Sequence, residues 1–278
     1  MTKEKGNIFI QDIQKRKRRR AVLVYSLAVI GAVGMFVALG FVGKKQSDTR
    51  CWKLEVQVES TDGRKFIDEQ MVAALADSAT DAIVGKTLSE LDLGAIHKAV
   101  TSSSSVREAH VYTTVDGRCV IQVKQRMPIA RIFNRMGASY YLDEEGYTME
   151  LSNLATTKLP VFIGEIPDGI RAESVALNFP DSSAQKTPLD EIYQFTQIVA
   201  RDTFWSAQIE HVYVNAAYEF EIIPRVGEQR VNVGYIYNLD TKLKKLRAFY
   251  EHAVHTDDLE RFSTIKAQYD GQVVCVKR

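Results

Sequence analysis

The sequence predicts an α+β protein: a single N-terminal transmembrane helix, a β-α-α-β-β module, then a larger mixed β domain with two helices. Three observations carry this. Six consecutive basic residues, 15–20, run straight into 23 apolar or small residues, 21–43, that hold no charge. Between 53 and 128, two short amphipathic stretches, each behind an aspartate, are flanked by alternating apolar and polar residues. Over 129–278, period-two segments are interrupted by two longer amphipathic stretches.

The first element is the span. At about 1.5 Å per helical residue, 23 residues reach about 34 Å, enough to cross a hydrocarbon core of about 30 Å. Lys and Arg gather on the cytoplasmic side of a span. Residues 1–20 are therefore expected as a cytoplasmic basic tail, 21–43 as the span and 44–52 as a spacer on the far side. A cleaved signal peptide competes, with Ala38-Leu39-Gly40 imitating its cleavage site. Its apolar region would cover only about 7–15 residues, so the length of the run favours an uncleaved anchor. Gly34 and Ala38 form a small-xxx-small pair, read here as lipid-facing filler.

The module over 53–128 opens on Leu54, Val56 and Val58, which alternate as a strand with one buried face. Thr61-Asp62-Gly63 turns the chain, and Asp68 is placed to cap a helix with Met71, Val72 and Leu75 on its apolar side. Ile67 and Val72 have the spacing of a hydrophobic staple. Leu91, Asp92, Ile96, Ala99 and Val100 repeat this signature, and the serines 102–105 end it. Val111, Thr113 and Val115 lead into Asp116-Gly117, a hairpin turn, and Cys119, Ile121 and Val123 lead out. Val56, Val58, Val111 and Val115 are expected to fill the core. Pro128 closes the module, because proline does not sit inside a central strand.

In the β domain, Asp143-Glu144-Glu145-Gly146 marks a hairpin between Tyr140-Tyr141-Leu142 and Tyr147. A helix is expected from Thr187, with Pro188 first and Leu189, Ile192, Phe195 and Val199 on one stripe. Strands are expected near 208–214, 217–224 and 229–236. Asp240 opens a second helix with Leu243, Leu246, Tyr250 and Val254 facing inward. Two β segments, 262–269 and 273–276, hinged at Asp270-Gly271, finish the chain.

Charge and chemistry narrow the function. Residues 1–20 hold eight basic and two acidic residues, net +6; the remainder holds 28 and 33, net −5. A mildly acidic outer region has no basic footprint for nucleic acid. Cys51, Cys119 and Cys275 are too few and too scattered for a zinc site or a disulfide framework; whether Cys119 approaches Cys275 stays open. Gly85-Lys86-Thr87 resembles the tail of a phosphate loop, but the required earlier glycine is Thr80. His252, His255, Asp257 and Asp258 are close in sequence, yet no further Cys or His completes a metal set. Asp143, Glu144 and Glu145 read as a solvated hairpin tip, and no Gly-x-Ser-x-Gly elbow is present. The expectation is a protein that is not an enzyme, with no catalytic, cofactor-binding or metal residues and no small-molecule substrate.

The order of parts is similar to the FtsQ/DivIB family of bacterial division proteins. Gln125-Arg126-Met127-Pro128-Ile129-Ala130 resembles that family's exit from its first module, the POTRA domain. Tyr141-Leu142-Asp143-Glu144-Glu145-Gly146 resembles its next hairpin, and Leu159-Pro160 with Gly164 resembles its LP-x-x-x-G phrase. Residues 227–234, with Lys242, Leu243 and Leu246, resemble its late strand and helix. Ile265-Lys266-Ala267-Gln268-Tyr269-Asp270 resembles its closing D-x-R-Y strand, although Lys266 and Gln268 replace the acidic and Arg positions. The resemblance implies a scaffold of the divisome that recruits and regulates septal peptidoglycan synthesis. It implies partners of the FtsB and FtsL type, small coiled-coil division proteins held at the end of the β domain, and other divisome membrane proteins. Its place would be the inner membrane at the septum. A membrane-anchored envelope enzyme and a POTRA-type assembly factor are the alternatives.

A last strand commonly leaves a free edge, whose unpaired N–H and C=O groups an extended partner can satisfy. Ile265, Lys266, Gln268, Tyr269, Val273, Val274 and Val276 are the expected docking residues, with Tyr269 as anchor. In the POTRA-like module only Arg64, Lys65, Arg107 and Glu108 stand out, as exposed candidates.

Overall fold

The computed structural model describes residues 30–35, 49–155, 157–167, 169–170, 175, 187–254 and 258–278. Residues 30–35 are helical; the rest of the expected span, and the basic tail, lie outside the described residues. No helix among the described residues is long and apolar enough to cross a membrane.

The first module is a three-stranded sheet under two helices. Asp68 caps α1 (Glu69–Ser78) by accepting from Met71 N at 2.8 Å, and Asp92 caps α2 (Leu93–Thr101) through Ala95 N at 2.9 Å. Each carboxylate satisfies an N–H that the first helical turn leaves orphaned. Ile67 and Val72 are both fully buried, completing the staple. Strands β1 (Lys53–Glu59), β2 (Val106–Thr113) and β3 (Arg118–Gln125) stand in the order β1-β3-β2. The pairs Leu54/Cys119, Val56/Ile121 and Val58/Val123 face the helices and pack with Val72, Ala76, Ile96 and Val100. Two expected core members are exposed. Met71 lies on the outer side of α1, one residue before buried Val72, and Val115 lies beyond β2 in the hairpin turn. The Gly85-Lys86-Thr87 turn is structural: Cys51 N donates to Lys86 O at 2.8 Å, Gly85 N to Cys51 O at 2.7 Å, and Lys86 Nζ to Thr80 O.

The remainder is one nine-stranded sheet. Its strands are β4 (Pro128–Phe133), β5 (Ser139–Asp143), β6 (Thr148–Met149), β7 (Val161–Gly164), β8 (Ile209–Val214), β9 (Phe220–Pro224), β10 (Arg230–Gly234), β11 (Phe262–Lys266) and β12 (Val274–Lys277). They stand in the order β12-β11-β10-β9-β8-β7-β4-β5-β6. Pro128, expected to close the first module, is the first residue of β4, a strand paired on both sides; at a strand's first residue proline is tolerated.

Parallel neighbours need crossovers, and helices supply two of the three in this sheet, β4 reaching β7 by way of β5 and β6. From β7 the chain crosses to parallel β8 through α3 (Pro188–Ala200) and α4 (Thr203–Gln208); from β10 it crosses to parallel β11 through α5 (Leu239–Val254). Thr187 and Asp190 form a capping box at α3, with Pro188 in the first turn. The stripe Leu189, Ile192, Phe195 and Val199 is buried; Phe195 stacks on Phe220 at 5.7 Å and meets Phe162 edge-on at 5.5 Å. Leu243, Leu246 and Tyr250 bring α5 onto the same core. Strands β4, β7, β8, β10 and β11 run the same way. The turns after β4 and β8, the β10–α5 loop and the β11–β12 loop therefore share one end of the sheet, opposite the first module.

The two parts meet at a packed joint. Asp143, expected on a solvated tip, is 1 % exposed. It accepts from Glu145 N at 3.0 Å and Tyr147 N at 2.6 Å, and pairs with Arg126 at 2.8 Å. Arg126 also lies 3.9 Å above the Tyr147 ring and 3.3 Å from Glu145. The neighbouring acids are taken from the first module: Arg107 pairs with Glu144 at 3.0 Å and with Glu145. Phe66, Tyr141 and Met149 make a small core beneath them.

Candidate docking edge

Edge strands differ in what their outward side chains allow. In register with the core-facing rows, β1 turns Lys53, Glu55, Gln57 and Glu59 outward, and β2 turns Glu108, His110 and the half-exposed Tyr112 outward. Charges of this kind discourage strand addition. At the far end of the large sheet β6 has only two residues, both buried. By contrast, among the described residues β12 pairs on one side only, with β11, and its outward side chains are Val274 and Val276, 38 % and 43 % exposed.

The strand is held in place from one face. Cys275 lies opposite Ile265 and packs on the main core, and burial raises its thiol pKa. Lys266 lies opposite Val274 and Thr264 opposite Val276, so these four share the outer face. Tyr269, in the loop that enters β12, is 41 % exposed. The expected set is therefore split. Lys266, Tyr269, Val274 and Val276 gather on or beside one edge. Ile265 is fully buried, because β11 is interior, between β10 and β12; the two-strand edge expected from sequence narrows to β12 alone. Val273 is partly buried against the core. Gln268 packs on Gly234, and its side-chain oxygen is buried without a partner.

Lys242 enters the sequence analysis only through its resemblance to the family's late helix, and Lys245 of the same helix α5 not at all. Lys242 is 9 % exposed and donates to Val233 O at 2.9 Å and Tyr235 O at 2.6 Å; Lys245 donates to Ala267 O at 3.0 Å and to Tyr269 O. Burial, then the charge of Lys245, holds the Lys242 ammonium below the usual lysine pKa. Beside that resemblance, the sequence signal is Lys242 sitting one residue before the buried stripe of α5.

Other candidate chemistry is dispersed. Cys51 and Cys119 lie in the core of the first module and Cys275 in the second, and all three thiols are free. Burial pushes Cys119 up to about 11. His252 is exposed, while His255 and Asp257 lie outside the described residues. Among the described residues no group of three His, Cys, Asp or Glu could hold a metal ion. Arg64 hydrogen-bonds Asp62 and Thr157, and Arg107 is engaged at the joint, so neither is a free surface residue of the module.

Comparison with known proteins agrees with this layout. A POTRA-like domain model matches residues 49–124, and a model described as FtsQ/DivIB, C-terminal related, matches residues 127–276. No curated protein matches the chain. The second match takes in more than half of the chain and the whole nine-stranded sheet up to β12, and on it the chain belongs to the FtsQ/DivIB family of cell-division proteins.

Proposed function

We propose that the chain is a bitopic scaffold of the divisome that holds small coiled-coil division proteins of the FtsB and FtsL type along β12. In this reading residues 1–20 stay in the cytoplasm, 21–43 cross the inner membrane and 53–278 work outside it at the septum. It acts by positioning partners for septal peptidoglycan synthesis, and no step of catalysis is assigned to it. The observation that carries the proposal is the β12 edge, unpaired along one side among the described residues and apolar outward where the edges of the first module turn out mostly charged and polar side chains. An extended segment laid along it gains main-chain hydrogen bonds, while Val274, Val276 and Tyr269 give side-chain contact.

In-cell crosslinking tests this. A photoreactive residue at Tyr269 is expected to capture a small coiled-coil membrane protein, and one at exposed Lys98 of α2 is not. Tyr269→Ala is expected to weaken capture by about 2 kcal/mol, the usual size for an aromatic anchor, or roughly 30-fold. Capture from Lys98 alone would move the docking surface to the first module. No capture from either position, in a folded and inserted protein, would end the scaffold reading.

A further inference from the structure

Two lysines one turn apart on α5 reach the ends of neighbouring strands. Lys242 gathers the carbonyls of Val233 and Tyr235, where β10 ends; Lys245 gathers those of Ala267 and Tyr269, just past β11. Carbonyls leaving a ladder still require donors, and an ammonium with three N–H groups can serve two of them together. The two loops also touch each other. Gly234 takes φ +64°, and a Cβ there would stand 3.0 Å from Gln268 Cβ. Ala267 N donates to Asn232 O at 2.8 Å, and Lys245 carries the tie onward from there to Tyr269. The intervening Lys244 has a different task, pairing with Asp240 at 2.6 Å on the surface.

We propose that Lys245 is a positioning residue for partner docking: by gripping the Ala267 and Tyr269 carbonyls it fixes where β12 begins and presents the Tyr269 ring at the head of the open edge. Lys242 does the same for the adjoining loop, whose Tyr235 and Tyr237 are 54 % and 77 % exposed. The occupant is the extended, apolar partner segment assigned to β12, so the inference rests on the docking reading above. A segment that meets a preformed loop does not have to order it, and that is how a residue beneath the surface changes affinity.

The test uses the full-length chain in cells, carrying a photoreactive residue at Tyr269 or at Val274. Lys245→Met is expected to lower capture from position 269 at least tenfold per folded molecule. Lys245→Arg, whose guanidinium can still donate to two carbonyls, is expected to restore most of it, and Lys244→Met to change nothing. A merely structural Lys245 would lower the melting temperature and leave capture per folded molecule untouched; that result overturns the proposal, as does a failure of arginine to restore capture. Should Lys245→Met not accumulate, Lys245→Gln replaces it with the same opposed outcomes. Val276→Glu separates the two readings. If it leaves capture intact, docking along β12 is wrong; if it abolishes capture while Lys245→Met does not, only the lysine's role is lost.

Discussion

Asp143 shows how far a single side chain can depart from its local sequence. Three acids on a hairpin tip read as solvated because hydrophilic turns usually are. Here Arg107 and Arg126, from the preceding module and its exit, fold over them. Burial raises the pKa of Asp143, and Arg126 with the Tyr147 and Glu145 N–H groups pulls it back only in part. The group therefore favours the folded state most when neutral. Its contribution is fully present below the ordinary carboxylate pKa and is lost as pH rises through the raised value. Asp143→Asn keeps an acceptor for the two turn N–H groups and is expected to cost less than about 1 kcal/mol at neutral pH. Asp143→Ala, which orphans those donors, should cost about 2–3 kcal/mol. Urea titrations at pH 4 and pH 7 check both numbers, and the Asn variant should lack this group's pH-dependent decline. Equal losses for the two variants would mean that the charge, not the acceptor geometry, matters.

Among elements, what the sequence made legible is what is encoded locally. The capped helices were readable from Asp68, Asp92 and Thr187 with their apolar stripes, because cap and stripe lie within a few residues of each other. Strand partners are set by residues far apart, and there the reading fell short. Ile265 is expected on the docking edge, and although the Asp270-Gly271 hinge offers β12 as its neighbour on one side, nothing near it in sequence says that β10 pairs on the other. The six-residue α4 is too short to show a period. The LP-x-x-x-G phrase gains a physical reason at Gly164. It ends β7 at φ +119°, where an added Cβ would run into Val214 O of β8, and Glu165 N donates to that same oxygen at 2.9 Å. Only glycine fits both the backbone angle and the contact. Gly164→Ala is expected to cost about 3 kcal/mol, combining a strained backbone with a displaced strand. The denaturation midpoint should fall with an unchanged slope; a loss under 1 kcal/mol would show that β7 and β8 can shift apart cheaply.

At the scale of the whole molecule, the joint makes one body of two modules. The link between β3 and β4 is only Arg126-Met127, and both ends of it are bound: Arg126 N donates to Ser105 O at 2.9 Å, and Glu144 N to Met127 O at 3.1 Å. Gln125, at the end of β3, holds the first module's own Phe66 segment against the joint, accepting from Phe66 N at 2.9 Å and donating to Arg64 O. Glu150 N reaches Ser104 Oγ at 3.0 Å, and Phe66 meets Tyr141 edge-on at 6.1 Å in the small shared core. With hydrogen bonds, ion pairs and apolar burial all crossing the boundary, neither module can lose its structure without exposing the other's surface. Such coupling predicts a single cooperative unfolding transition. Phe66, 1 % exposed, is the side chain whose loss best cuts that coupling. Truncating a buried phenylalanine costs about 3–5 kcal/mol, and here the cost falls on the boundary as well as on one core. Phe66→Ala should therefore split the calorimetric transition in two, with the POTRA-like module melting first because its three-stranded core is the smaller. Two transitions in the parent chain would mean that the joint only touches and does not couple, and a single lowered transition in the variant would place Phe66 inside one core. If coupling holds, the β12 edge is carried at a fixed angle from the first module, and a force or partner acting on one reaches the other without an intervening hinge.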